Sequence, residues 1–222
     1  MSTLGIISPH PDDETLGCGG SILRHQSEND SLHWIIDTGM TEKLDFSPDM
    51  FAELQKEIDT IAALYGYEAV NNLILPTTRL DTIPTGEIVS MLGALFNEIK
   101  PDTIYLPNRS DVHSDHRIVF NSAWSCCKTF RYPFISRVLM YETLSETDSM
   151  PPFPEAAFLP NSFSDISDFL EKKLEIMRHY KNEIKKHPFP RSEQNIRALA
   201  TLRGATAGVP YAEAFMLLKE VH

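Results

Sequence analysis

The sequence predicts an α/β fold, a mostly parallel central sheet with helices on both faces. Three observations carry this. Short apolar runs alternate with longer amphipathic stretches from the start of the chain, the pattern of repeated β-α units. Two of the short runs lead into dense ionisable clusters, Ser8–Glu14 and Asp111–His116. Such clusters are costly inside a core without partners, and α/β folds expose them at the carboxyl edge of the sheet. The 222 residues are 42% hydrophobic and 23% charged with no linker-like break, which suits one domain spanning residues 1–222.

Each element has a local reason. Leu4–Ser8 reads as the first strand. Glu14–Glu28 reads as a helix, with Gly17, Gly19 and Gly20 marking close backbone approach near its start. Leu32–Asp37 is a second strand closed by Thr38 and Gly39. Phe46–Tyr65 is an amphipathic helix: Phe51, Leu54, Ile58, Ile61, Ala62 and Tyr65 recur at helical spacing, Ser47-Pro48 marks the start and Gly66 the stop. Leu73–Leu75 is a third strand ended by Pro76, Thr85–Ile99 a helix, and Thr103–Leu106 a fourth strand ended by Pro107. Asp115–Cys127 is a helix and Ser136–Tyr141 a fifth strand. The four prolines of Pro151–Pro160 dictate an irregular connection. Ser164–Lys185 is expected as one long helix broken by His187-Pro188-Phe189-Pro190, and Ser192–Arg203 as another stopped by Gly204. Tyr211–Leu218 is expected as a last short helix.

The formal net charge of -11 argues against nucleic acid or an anionic membrane as partner. Lys172-Lys173 and Lys185-Lys186 are the nearest approach to a basic patch and read as a solvated helix face. Cys18, Cys126 and Cys127 form neither a disulfide framework nor a zinc knuckle, and read as small buried side chains. There is no integral membrane segment and no secretory signal pattern, so the expectation is a cytoplasmic protein. A homo-oligomer remains open. The run Gly17-Cys18-Gly19-Gly20 fails as a dinucleotide fingerprint, because Ile22 stands where the third glycine is needed.

Right-handed crossovers bring the exits of the first and fourth strands to the same sheet edge, so both ionisable clusters open there. His10 and Asp13 lie three apart around a turn into a helix, and His116 can add a third ligand. Two nitrogens and a carboxylate with one open position is a hydrolytic zinc pattern. Asp12 is then a candidate to take a proton from water. His113 is a candidate to donate to an oxyanion or a leaving amine, and Asp115 to hold an imidazole in its tautomer. Glu14 and Asp111 have weaker claims. Spacing leaves open which carboxylate is ligand and which is base; helix-start electrostatics is the plainer role for Asp12, Asp13 and Glu14.

Pro9-His10-Pro11-Asp12-Asp13-Glu14 resembles the A-H-P-D-D-E signature of the PIG-L/LmbE-like deacetylases, and Asp111-Val112-His113-Ser114-Asp115-His116 resembles their second, H-x-D-H signature. Leu75–Asp81 is similar to a family loop ending in R-L-D, and Arg203-Gly204 with Tyr211–Phe215 is similar to the end of one branch. The resemblance implies a Rossmann-like three-layer sandwich and one Zn2+ per chain on His10, Asp13 and His116. It implies Asp12 as general base, His113 as oxyanion stabiliser and general acid, and Asp115 as the residue orienting a histidine. The implied reaction is removal of an N-acetyl group from an N-acetylglucosamine-type amino sugar conjugate. The alternative is an amidohydrolase or esterase acting on a different acyl group or a non-sugar amide. Two departures stand out. Pro9 replaces the usual alanine, and Leu54 stands where many members carry a sugar-contacting arginine, three residues before Glu57. Arg79 and Arg203 are the candidates to replace that arginine in substrate binding.

Overall fold

The computed structural model describes residues 1–39 and 48–222. Among these residues, seven strands form one sheet in the order β3-β2-β1-β4-β5-β7-β6: β1 (Thr3–Ser8), β2 (Ser31–Gly39), β3 (Ala69–Pro76), β4 (Thr103–Leu106), β5 (Arg137–Tyr141), β6 (Ser162–Asp165) and β7 (Ala212–Glu220). β1 through β5 pair in parallel, while β7 runs antiparallel to both β5 and β6. Among the described residues, six α-helices accompany them: α1 (Asp13–Ser27), α2 (Pro48–Tyr65), α3 (Thr85–Ile99), α4 (Ser114–Ser125), α5 (Leu170–Met177) and α6 (Glu193–Ala207). The strand order reverses between β1 and β4, the kind of switch point at which open α/β sheets hold their ligands.

Alternation along the strands divides the core in two. Leu4, Ile6, Trp34 and Ile36 face α1, α2, α5 and α6, meeting Leu16, Ile61, Tyr65, Leu174 and Ile196. Ile7, Ile35, Ile104 and Leu106 face α3 and α4, meeting Ile88, Leu92, Phe96, Val119 and Phe120. This is the three-layer sandwich expected. The three cysteines are buried and unbridged. A Cβ on Gly17 would sit 2.2 Å from the Tyr141 ring, the close approach its run of glycines foretold.

Three expectations fail near the C-terminus. Ala212–Phe215 carries good helix formers, yet it is a buried strand, because the slot between β5 and β6 outweighs local propensity. The long helix expected from Ser164 begins only at Leu170. Residues 162–165 pair with β7, and the Asp165 carboxylate takes up the N–H and hydroxyl of Ser167, a local turn that competes with helix. That helix also ends early, at Met177, and leaves an irregular segment before α6. Conversely, α6 runs through Gly204 to Ala207 and stops at Gly208, whose φ of 77° provides the left-handed cap. The third strand is longer than its apolar run, reaching back to Ala69. Phe46 and Ser47, the expected start of the second helix, lie outside the described residues.

Candidate metal centre and active-site pocket

β1 and β4 are neighbours, so their exits bring the two ionisable clusters together. His10 Nδ1 lies 3.4 Å from Asp13 Oδ2, and His116 Nε2 lies 3.3 Å from the same oxygen. Charge-assisted hydrogen bonds close to about 2.7–2.9 Å. The observed spacing is instead the edge of a tetrahedron whose centre lies about 2.0–2.1 Å from each corner, the bond lengths of zinc to nitrogen and oxygen. The three donors therefore fit a cation at their centre.

Each imidazole is fixed from behind. Asp111 Oδ2 sits 2.8 Å from His116 Nδ1, and Asp111 is itself held by Asn108 and Thr147. Asp115 Oδ2 sits 3.1 Å from His10 Nε2 and also accepts the Thr78 N–H. These contacts leave Nδ1 of His10 and Nε2 of His116 facing Asp13, which is how buried carboxylates orient ligating histidines. A second grouping, His10 with His113 and Asp115, also falls within coordination range. There, however, the Asp115 carboxylate is already occupied by Thr78, Leu80 and His10.

Electrostatics agrees with a site for a cation. Burial acts to lower His10 and His116, but the carboxylates outweigh it and raise them to about 9 and about 10. Burial pushes Asp13 up, yet the two imidazoles hold it well below the usual carboxylate range. Protons thus occupy the nitrogens that a metal would displace them from.

Asp12 adjoins this centre at the N-terminus of α1. Its φ of 123° is a strained conformation for a side-chain-bearing residue, of the kind found at functional sites. Its N–H donates to Glu14 Oε2, and Glu14 is gripped in turn by Thr15 and Tyr180. Glu14 therefore does more than favour a helix start: it anchors the strained turn. Burial and the charge of Asp13 push the Asp12 carboxyl up, against the opposing Arg191 guanidinium 2.7 Å away. His113 caps α4, its Nδ1 accepting the Asp115 N–H. That bond selects the tautomer with the proton on Nε2. Burial lowers this imidazole, keeping it neutral.

His10, Asp12, Asp13, His113 and His116 all line one cavity of about 290 Å³. Arg191 lines it too, donating to Asp12, Glu183 and Ser145. Sequence reasoning missed this arginine, since nothing local separates it from the proline-rich breaker before α6. Arg79 and Arg203 do not appear among the lining residues: Arg79 is exposed on the turn before Leu80, and Arg203 is bidentate with Glu142. Asp37 was also unforeseen as a special residue. It is fully buried near His10 and Asp115, and neither carboxylate oxygen has a partner among the described residues.

Comparison with known proteins gives a consistent set of matches. Residues 6–127 match the PIG-L family of GlcNAc-PI de-N-acetylases. The chain is 24% identical over 181 residues to the uncharacterized deacetylase YaiS of Escherichia coli, covering 79% of this chain and 89% of that one. It is 23% identical over 214 residues to the diacetylchitobiose deacetylase of Thermococcus kodakarensis, covering 93% and 79%. Among solved structures it resembles the N,N'-diacetylchitobiose deacetylase of Pyrococcus horikoshii, with TM-score 0.78 and 23% identity over 97% of this chain and 83% of that one.

Proposed function

The chain belongs to the PIG-L family, and from that membership we propose that it is a zinc-dependent N-deacetylase acting on N-acetylglucosamine-type amino sugar conjugates. The observation that carries the reading is the approach of His10 Nδ1, at 3.4 Å, and His116 Nε2, at 3.3 Å, to the same oxygen Asp13 Oδ2, with Asp12 and His113 lining the same cavity. The diacetylchitobiose deacetylases among its relatives support the sugar. Residues 1–222 act as one catalytic domain in the cytoplasm; no helix among the described residues is long and apolar enough to cross a membrane.

His10, Asp13 and His116 would hold the ion. When bound, zinc supplies an acidified water and a Lewis acid for the amide carbonyl. The chain's own residues supply the rest. Asp12, with its raised proton affinity, takes the proton of the attacking water. His113 donates its Nε2–H to the carbonyl oxygen as that oxygen gains charge. Its filled Nδ1 keeps it a neutral donor, which favours the oxyanion role over that of general acid. The proton taken by Asp12 is then available to the leaving nitrogen, so that amide and water become acetate and amine. Asp111 and Asp115 keep the two imidazoles oriented throughout.

The test is acetate release from N-acetylglucosamine conjugates by the zinc-loaded protein and its Asp12→Asn variant. The variant should keep one metal per chain and lose at least about 10²-fold in kcat. Full activity in Asp12→Asn would remove that residue as base.

A further inference from the structure

The strained turn at Asp12 rests on a buried network whose outer members lie far from it in sequence. Asp12 is held through both of its backbone groups. Its carbonyl accepts the Leu16 N–H at 2.9 Å, and its N–H donates to Glu14 Oε2 at 3.1 Å. The other Glu14 oxygen, Oε1, accepts the hydroxyls of Thr15 at 2.5 Å and Tyr180 at 2.6 Å. Thr15 Oγ1, its proton committed to Glu14, accepts in turn from the Tyr65 hydroxyl at 2.9 Å. Glu14, Thr15, Tyr65 and Tyr180 are each at most 1% exposed, so bulk solvent does not stand in for a missing member. Gly19 leaves room for the network: a Cβ there would sit 2.5 Å from the Tyr65 hydroxyl oxygen. Tyr65 is the last residue of α2, and Tyr180 lies in the segment after α5. These two elements also bring Leu54, Glu57, Asn182 and Glu183 to the wall of the active-site cavity.

Building on the deacetylase reading, we propose that Tyr180 and Tyr65 are positioning residues for Asp12, two buried hydroxyl donors that act through Glu14 on the backbone that aims the base. A φ of 123° at a residue with a side chain persists only where the surroundings over-determine it. Here the determinant is the Glu14 carboxylate, whose own orientation depends on the donors around it. Burial pushes both phenols well above their usual range, so they stay protonated and keep donating. Without the Tyr180 hydroxyl, Oε1 keeps Thr15 alone and the carboxylate is free to turn. The Asp12 N–H then loses its aligned acceptor, the turn relaxes, and the Asp12 carboxylate moves off the line of the attacking water. A misplacement of about 1 Å costs a reaction about 10²-fold.

The experiment measures acetate release from N,N'-diacetylchitobiose by the zinc-loaded wild type and Tyr180→Phe, which removes one hydroxyl and nothing else. In the variant kcat should fall about 10–10²-fold, with KM within about twofold and one zinc per chain retained. In the Asp12→Asn background the same change should alter kcat by less than about threefold, because nothing is left to position. Crystals of metal-free Tyr180→Phe should show the Asp12 φ moved away from 123°, a readout independent of catalysis. Wild-type kcat, an unchanged Asp12 backbone, or equal losses in the two backgrounds would overturn the proposal, even where the melting temperature falls. Absence of acetate from the wild type would overturn the deacetylase reading instead; the positioning role then stands if the Asp12 φ moves and falls if it does not. If Tyr180→Phe does not fold, Tyr65→Phe decides by the same criteria, with a loss in kcat of at least about threefold expected from its place one bond farther out.

Discussion

Lys173→Met should destabilise the protein severely, although Lys173 lies outside the catalytic cavity. α1 is broken at Cys18, whose φ of -143° is not helical. One buried ion pair splints the break. Lys173 Nζ donates to the Leu16 carbonyl on one side, at 2.9 Å, and to Glu213 Oε1 at 2.7 Å. Glu213 caps the other side, accepting the N–H groups of Gly20 and Ser21 at 2.8 Å each. Both side chains are about 95% buried, with 4% and 5% exposure. Removing the lysine strands a buried carboxylate, at a cost of about 3–5 kcal/mol. At about 2–4 °C per kcal/mol for a chain of this size, the melting temperature should fall by about 10 °C. Calorimetry on the metal-free protein measures this, and Lys173→Met with Glu213→Gln together should cost less than the sum of the two single changes. A fall under about 2 °C in Lys173→Met would refute the splint.

Three further outcomes follow from the site. Asp111→Asn should weaken zinc affinity by about 10–100-fold in chelator competition, because His116 loses the carboxylate behind its Nδ1. His113→Gln should lower kcat by about 10²–10³-fold with metal content unchanged, as expected for loss of an oxyanion donor. Asp37→Asn should stabilise the protein at pH 7 by about 1–3 kcal/mol in urea melts, since the native carboxyl group is buried with no hydrogen-bond partner among the described residues. Burial holds the Asp37 carboxyl of the folded state well above the usual carboxylate range. The native state therefore holds a proton that the unfolded chain has released, and wild-type stability declines as pH rises through that window. The advantage of Asp37→Asn should accordingly grow from about pH 4 upward and vanish below it; a constant advantage across pH would contradict the assignment.

Much of this was legible because the signals were local. The β-α alternation through Tyr141 located five strands, and two of them, β1 and β4, deliver the clusters to one edge. The motifs named His10, Asp12, Asp13, His113, Asp115 and His116, and the structure brings all six together. What failed depended on distant contacts. Residues 212–220 became a strand because a slot between two other strands had to be filled, a fact absent from their own helix-forming composition. Arg191 reaches Asp12 across 179 residues of sequence. The partner of Asp115 was visible only in outline: the expectation was a carboxylate orienting a histidine, and the side chain it holds is His10.

The most direct test of the metal centre is anomalous diffraction at the zinc edge from crystals of the zinc-loaded protein. The account predicts one peak per chain, about 2.0–2.2 Å from His10 Nδ1, Asp13 Oδ2 and His116 Nε2. A peak among His10, His113 and Asp115, or none at this sheet edge, would contradict it.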